Sequence, residues 1–279
     1  MIKIDFHVHI TQPEISANWR RYAEKEPYFS ALSHSPINKF ASAPEVINAL
    51  EASGFDKAVV FGFAFRDTGL CRYVNDYVIE SIKQYPEKFI GFMAVPPGGK
   101  ECEQEILRCY AAGLRGIGEL FPEGQGFNID DARQTAALAA VCAELRLPVL
   151  IHANEPVGHE YPGKTKTSLR SIEQFIANNA SLEIVLAHWG GGLLFYESMP
   201  EMRKKCLNVY YDTAASPLLY DSRVFSAARG LGLTEKILFG SDYPLLPHSR
   251  YTEILANSGL TPPEQELILG GNARRLLFK

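Results

Sequence analysis

The stretch IKIDFHVHI, residues 2–10, carries the pattern from which the fold can be inferred. Side chains of a β-strand point alternately to its two faces, so Asp5, His7 and His9 are predicted to share one face. A carboxyl group and two imidazoles on a buried strand need partners, because burying a polar group alone is costly. We therefore expect this strand to place polar groups in a site that other strands complete.

Seven further apolar stretches follow, and helical patterns separate them. The predicted strands span residues 2–10, 57–65, 88–95, 114–120, 147–153, 182–188, 207–213 and 236–242. Strands that alternate with helices over 279 residues predict a single-domain (β/α)8 TIM barrel covering residues 1–279. The long segment after the first strand, residues 11–41, is predicted to be an irregular insertion that forms a lid or a pocket wall.

Composition excludes several classes of partner. The net charge of −4, the pI near 6.0 and the lack of a basic run argue against a nucleic-acid surface. The longest apolar runs fall short of the roughly 20 residues that a membrane-spanning helix needs. Five scattered cysteines without a Cys-x-x-Cys pair favour reduced thiols, and no signal peptide is apparent. We expect a cytoplasmic protein that acts on a small molecule, away from membranes and nucleic acids.

Polar side chains recur where other predicted strands end. Glu119, His152, His188 and Asp242 each close an apolar run, and barrel enzymes place their functional groups at this end of the strands. Several neutral imidazoles that converge with a carboxylate predict a site for one or two first-row divalent metal ions. Zn²⁺ is the first expectation, and Mn²⁺, Fe²⁺ or Ni²⁺ suit the same donors. A cation would also explain how Asp242 can end a buried strand.

Three acidic side chains have more than one interpretation. Glu119 either bridges two metal ions, binds a single ion, or holds a substrate group through a water molecule. Asp5 lies deeper in the predicted barrel and is expected to support a metal ligand rather than to be one. Asp212, which closes the seventh strand, is either an acid of the pocket or a helix cap.

The loop after the fifth strand, NEPVGHEYPGKT at residues 154–165, is expected to form a wall of the pocket. The candidate substrate-binding residues are Glu155, His159, Tyr161 and Lys164 from this loop, and Arg66 from the loop after the second strand. Lys164 and Arg66 either bind an anionic group of the substrate or are ordinary surface residues.

Several motifs together resemble the amidohydrolase superfamily, and within it the amidohydrolase-2 group that includes aminocarboxymuconate-semialdehyde decarboxylase and related hydrolases. The motifs are DFHVH (5–9), IHANEPVGH (151–159), AHWGGG (187–192), FGSDYP (239–244) and GNARRLL (271–277). The resemblance implies a metal-dependent barrel and leaves room for a homodimer.

Carried over to this sequence, the resemblance implies that His7, His9, His152 and Asp242 bind the metal. It also implies that His188 polarises the substrate or hydrogen-bonds the metal-bound water. Superfamily members with two metals often carry a carboxylated lysine at the end of the fourth strand, where this chain has Glu119. A lysine-bridged pair is therefore excluded, and a glutamate-bridged pair stays open.

The predicted function is that of a metal-dependent hydrolase, in which a metal-activated water cleaves an amide, ester or lactone bond of a small anionic substrate. Asp242 and His188 would be the catalytic groups. The alternative is non-oxidative decarboxylation of an unsaturated or aromatic acid with the same ligands. A barrel that binds metal only for structure is less favoured, because structural zinc sites are usually closed and rich in cysteine.

Overall fold

Eight short parallel strands form the wall of a barrel in the order of the sequence. A computed structural model describes residues 1–278. The strands are β1 (Ile4–His9), β2 (Lys57–Phe61), β3 (Phe89–Gly91), β4 (Ile117–Leu120), β5 (Val149–Ile151), β6 (Ile184–Leu186), β7 (Val209–Asp212) and β8 (Ile237–Leu238). The predicted (β/α)8 fold is confirmed, and each predicted strand is present in shorter form.

The barrel closes through two narrow contacts between strand ends. Continuous pairing joins β1 to β3 in one sheet and β4 to β8 in another. Met93, just after β3, pairs with Ile117, and Val8 of β1 pairs with Tyr243, just after β8. The carboxyl ends of all eight strands therefore face one mouth.

Helices follow the strands and cover the outside of the barrel. In chain order they are α1 (Pro13–Ala17), α2 (Trp19–Ala23), α3 (Pro27–Ser33), α4 (Ala43–Ser53), α5 (Thr68–Gln84), α6 (Gly99–Ala111), α7 (Pro122–Gln125), α8 (Ala132–Leu145), α9 (Leu169–Asn178), α10 (Pro200–Lys205), α11 (Ser216–Leu219), α12 (Arg223–Gly230), α13 (Arg250–Ala256), α14 (Pro262–Glu266) and α15 (Asn272–Leu277). Helix α4 shows how local sequence sets their ends. Ser42 and Glu45 form a capping box at its start, and Gly54 ends it with a φ of 71°.

A bulge in β1 overturns the prediction that Asp5, His7 and His9 share one face. Asp5 pairs with Ala58 and Val8 pairs with Val60, so three steps along β1 match two steps along β2. An extra residue between the two pairs reverses which residues face inward. Asp5 therefore faces the helices, as Ala58 does, while His7 and His9 face the barrel interior.

The barrel interior below the mouth is filled with apolar side chains. They are Ile4, Phe6, Val59, Phe61, Phe92, Leu150, Val185, Ala187 and Leu238, and Ala273 and Leu276 of α15 pack against them. This layer gives the polar mouth an apolar floor. All five cysteines are free and buried, and no helix within residues 1–278 is long and apolar enough to cross a membrane.

The segment 11–41 was predicted to be irregular, and that prediction is wrong, because it contains α1, α2 and α3. Each is too short to produce a helical period in the sequence, and prolines begin both α1 and α3. The buried Glu26 fastens the segment to the loop after β2 by accepting the backbone N–H groups of Arg66 and Asp67, both at 2.9 Å.

Replacing Glu26 with alanine should lower the free energy of unfolding by about 1–3 kcal/mol, because two backbone donors lose their acceptor. It should also increase proteolytic cleavage within residues 11–41. Urea unfolding and limited proteolysis measure the two effects. Glu24, which is exposed two residues away, provides the matched control in Glu24→Ala. Equal stability of the two variants would show that Glu26 does not anchor the segment.

Candidate metal centre

Six side chains converge at the mouth of the barrel. His7 and His9 come from β1, Glu119 from β4, His152 follows β5, His188 follows β6 and Asp242 follows β8. Their ligand atoms lie within 4.8 Å of one another in three overlapping groups, which are His7–His188–Asp242, His7–His9–Glu119 and Glu119–His152–His188. The structure thus brings together all six residues that the sequence proposed for metal binding and catalysis.

Glu119 lies at the centre of this cluster. Its Oε2 atom is 3.7 Å from Nε2 of His7 and 3.8 Å from Nε2 of His9. Its Oε1 atom is 3.0 Å from Nδ1 of His152 and 3.6 Å from Nε2 of His188. The two carboxylate oxygens therefore face two different pairs of ring nitrogens.

Asp242 completes the side of the cluster that His7 and His9 form. Its Oδ1 atom is 3.7 Å from Nε2 of His7 and 3.5 Å from Nε2 of His9. Asp242 has a φ of 62° and His188 has a φ of 55°, in the left-handed region that residues with a side chain rarely occupy. Such conformations concentrate at functional sites, where the surrounding structure holds them.

Three of the histidines are held from the side away from the centre. The hydrogen bonds run from His7 Nδ1 to Asp212 Oδ2 at 2.8 Å, from His188 Nδ1 to Ala214 O at 3.0 Å and from His152 Nε2 to Gly163 O at 2.9 Å. Since only a protonated nitrogen can donate to these oxygens, the other nitrogen of each neutral ring presents a lone pair to the centre.

The chemistry of this donor set fits a divalent cation. Nε2 of His7 is buried without any hydrogen-bond partner, and so is Nδ1 of His9. A metal ion gives the inward nitrogen of His7 the partner that the protein does not supply. Outward N–H groups bound to carbonyl or carboxylate oxygens are the usual support of metal-binding histidines.

Protons balance the charge of the cluster when no cation does. Burial disfavours the charged ring of His7, but the negative charges of Asp212 and Glu119 outweigh it and raise its pKa to about 9. Burial also opposes protonation of His188, yet its hydrogen bond with Glu119 and the charge of that residue raise its pKa to about 10. His9 behaves differently, because burial lowers its pKa to about 4.

A cavity of about 270 Å³ opens above the cluster. Its walls are mainly aromatic and aliphatic, and they include Tyr28, Phe29, Leu32, Phe63, Phe121, Leu218, Leu219 and Leu245. The inserted helix α3 and the residues after it form one wall. His159 and Tyr161, which the sequence proposed as substrate contacts, lie in the lining.

Lys164, also predicted to contact the substrate, is not part of the cavity lining. Its ammonium group donates to the carbonyl oxygens of Val157 at 3.0 Å and His159 at 3.1 Å. Lys164 therefore folds back on its own loop and fixes the loop's shape. Lys164 is therefore not placed to contact a molecule bound in the cavity.

Arg66 and Glu155 also lie outside the cavity lining. Arg66 is exposed, and its guanidinium group lies beside Gly126. Glu155 accepts a hydrogen bond of 3.1 Å from the hydroxyl of Tyr161, so it supports the wall from behind. Sequence position after a strand could not separate residues that face the cavity from those that face away.

Two residues gain roles that the sequence did not assign. Lys39, from the insertion, is the only lysine or arginine in the cavity lining within the described chain. Asp212 is neither a pocket acid nor a helix cap, since its carboxylate holds His7. The available signal was its position, because Asp212 lies at the carboxyl end of a strand as the six residues of the cluster do.

Asp5 supports the region behind the cluster. It accepts hydrogen bonds from the backbone of His7 at 3.1 Å, from Ser241 N at 2.9 Å and from Nε2 of His248 at 2.8 Å. It touches no ring nitrogen of the centre, in agreement with its expected supporting role.

Comparison with known proteins places these features in a family. A family model described as Amidohydrolase matches residues 4–279. A 2-amino-3-carboxymuconate-6-semialdehyde decarboxylase from Dictyostelium discoideum is 25% identical, and the match covers 99% of this chain and 91% of that protein.

Solved structures show the same fold. The 5-carboxyvanillate decarboxylase of Sphingomonas paucimobilis matches with a TM-score of 0.81 at 15% identity, over 99% of this chain and 98% of that one. The 5-carboxyvanillate decarboxylase of Novosphingobium aromaticivorans, solved with manganese and 4-hydroxy-3-methoxy-5-nitrobenzoic acid, matches with a TM-score of 0.77 at 15% identity, over 99% and 96% of the two chains.

Binding of Mn²⁺ should strengthen as the pH rises from about 6 to 8, because the metal must displace the proton that His7 holds below its pKa of about 9. Each displaced proton corresponds to about a tenfold gain in affinity per pH unit. Calorimetric titrations in two buffers with different ionisation enthalpies would measure proton release. Affinity independent of pH, without proton release, would show that His7 is not a ligand.

Proposed function

Because the chain belongs to the amidohydrolase family, we propose that it is a metal-dependent, non-oxidative decarboxylase of a planar unsaturated or aromatic carboxylic acid. The observation that carries this proposal is the aromatic-walled cavity directly above the cluster of His7, His9, Glu119 and Asp242. The decarboxylases among its relatives, which match nearly the whole chain, support the same choice.

The proposed metal site uses His7, His9, His152, Glu119 and Asp242. When bound there, a divalent ion would supply a Lewis acid that holds the substrate's oxygen atoms and withdraws electron density from them. Imidazole and carboxylate donors suit both Zn²⁺ and Mn²⁺. Manganese is present in the related structure from Novosphingobium aromaticivorans, and Zn²⁺ remains an equal proposal for this chain.

Decarboxylation leaves an electron pair on the carbon that loses CO₂, and this carbon must take up a proton. His188 and Asp242 both line the cavity and are the candidate donors. Nδ1 of His188 is fixed on Ala214 O, so only its Nε2 atom is free to exchange a proton with the cavity. We assign the proton transfer to His188 or Asp242, with water restoring the proton afterwards.

The cavity walls provide the rest of the selectivity. Phe63 and Phe121 flank the cluster, and Tyr28 and Phe29 face the cavity from the insertion. Flat apolar walls suit a planar substrate and exclude water, so the carbon receives its proton from a protein group. Lys39 gives the cavity a cationic group within the insertion, where a second anionic group of the substrate would bind.

Hydrolysis is the second candidate function, and the position of Glu119 favours it. Its Oε1 faces His152 and its Oε2 faces His7, so the carboxylate could bridge two ions. Two-metal sites are common in hydrolases. The number of ions per chain therefore separates the two candidates.

The metal-loaded protein should release CO₂ from one or more planar acids that carry a second anionic group. In Asp242→Asn the rate should fall by about 10²–10⁴-fold or more, because Asp242 is both a proposed metal ligand and a candidate proton donor. Coupled bicarbonate detection and ultraviolet spectra of the substrate would follow the reaction. Cleavage of esters or lactones without CO₂ release from any acid would contradict the proposal and favour hydrolysis.

Elemental analysis of protein purified without chelators should find one metal ion per chain if decarboxylation is correct. Glu119→Ala should retain that ion with weaker affinity, because one of several donors is lost. Glu155→Ala is the matched control, since this carboxylate lies behind the cavity wall and bonds Tyr161. Two ions in the wild type and one in Glu119→Ala would establish a bridged pair and favour hydrolysis.

A further inference from the structure

Asp212 ends β7 as a fully buried carboxylate whose two oxygens accept three hydrogen bonds from the metal centre's surroundings. Oδ2 accepts from Nδ1 of His7 at 2.8 Å. Oδ1 accepts from the backbone N–H groups of His188 and Ala214, both at 2.9 Å. We infer that Asp212 is a positioning residue that sets, with one carboxylate, the directions of both the ligand His7 and the proton carrier His188.

The effect on His7 is through the position of its proton. A carboxylate can only accept, so it keeps a proton on Nδ1 and leaves Nε2 as the nitrogen that faces Glu119 and Asp242. Nε2 is the buried nitrogen that has no partner in the protein. Asp212 therefore selects the form of His7 that can bind a cation.

The effect on His188 is through the backbone. Asp212 binds the N–H of His188, which is held at a φ of 55°, and the N–H of Ala214. The carbonyl of Ala214 in turn accepts from Nδ1 of His188 at 3.0 Å. Both the main chain and the ring of His188 are thus fixed relative to the same carboxylate, and its Nε2 atom is directed to the centre.

The backbone of Gly240 passes close to both His7 and Asp212. A Cβ atom added to Gly240 would lie 2.8 Å from Cβ of His7 and 3.4 Å from Cβ of Asp212. Gly240 therefore leaves the space in which the side chains of His7 and Asp212 lie side by side.

An amide in place of Asp212 cannot accept from all three donors. If its oxygen accepts from the two backbone N–H groups, its NH₂ group faces Nδ1 of His7 and forces the proton of the neutral ring onto Nε2. If it turns round, the NH₂ group faces two backbone donors. The first orientation puts the proton of His7 on the nitrogen that faces the cation site, and the second opposes donors to donors, so Asp212→Asn disturbs the metal site although it preserves volume.

This inference rests on the metal site of the proposed function, and its test does not require the decarboxylation to be correct. Mn²⁺ affinity would be measured at one pH by electron paramagnetic resonance of the free ion, for the wild type, Asp212→Asn and Asp212→Ala. Thermal unfolding of the metal-free proteins would be measured in parallel. Tyr211→Phe is the matched control. Tyr211 lies on β7 beside Asp212, and the change removes the buried 2.8 Å hydrogen bond that its hydroxyl donates to Glu197.

We expect Asp212→Asn to bind Mn²⁺ about 10–100-fold more weakly than the wild type, as for other groups that support metal ligands. Asp212→Ala should bind at least as well as Asp212→Asn, since water molecules that enter its cavity can accept from Nδ1 of His7 and leave its proton there. Its stability should be the lower of the two, because it loses volume. Tyr211→Phe should keep wild-type affinity.

A purely structural role predicts the opposite order of affinity, with the isosteric Asp212→Asn the milder change. That order, or wild-type affinity in Asp212→Asn, would overturn the inference. If Asp212→Asn does not fold, wild-type affinity in Asp212→Ala would also overturn it. Where turnover is detected, kcat should fall more than KM rises, because His188 is misdirected while the cavity walls are unchanged.

Discussion

The contact between the Glu119 carboxylate and four imidazole rings is the interaction on which the mouth of the barrel depends. Each oxygen of Glu119 lies 3.0–3.8 Å from two ring nitrogens. Burial penalises the charged form of this carboxyl, yet the neighbouring His7 and His152 hold its pKa well below the usual value. Such a cluster is stable only with protons or a cation at its centre, and the inward lone pairs favour the cation.

The barrel delivers these groups by departing from regular strand geometry. A bulge turns Asp5 toward the helices and leaves His7 and His9 in the interior. His188 and Asp242 themselves have left-handed backbone conformations, whereas a regular strand would direct their side chains away from the cluster. Conformations of this kind cost of order 1–3 kcal/mol each. The apolar floor and the supporting carboxylates Asp5 and Asp212 hold the chain in them.

Sequence reasoning predicted the barrel and the six clustered residues because both follow from short-range rules. Strands alternate with helices, and polar residues at the carboxyl ends of parallel strands must meet at one mouth. The prediction that Asp5 shares a face with His7 and His9 was wrong, because a single extra residue in β1 has no signature in an alternating pattern. The helices of the insertion were not predicted, because they are too short to show a helical period in the sequence.

The sequence could not show which loop residues line the cavity, because this depends on how each loop folds. Lys164 was a candidate anion-binding group in the sequence and Lys39 was not, because only the folded loops decide which lysine reaches the cavity. The ammonium group of Lys164 donates to carbonyl groups of its own loop, whereas Lys39 lines the cavity.

The proposed chemistry likewise divides between residues at the strand ends and residues in the loops. In the proposed function the residues at the strand ends would hold the metal, and the walls that the loops build would decide between loss of CO₂ and attack by water. The aromatic side chains of Tyr28, Phe63 and Phe121 line the cavity above the centre, and apolar walls of this kind favour the proposed protonation of carbon over attack by water.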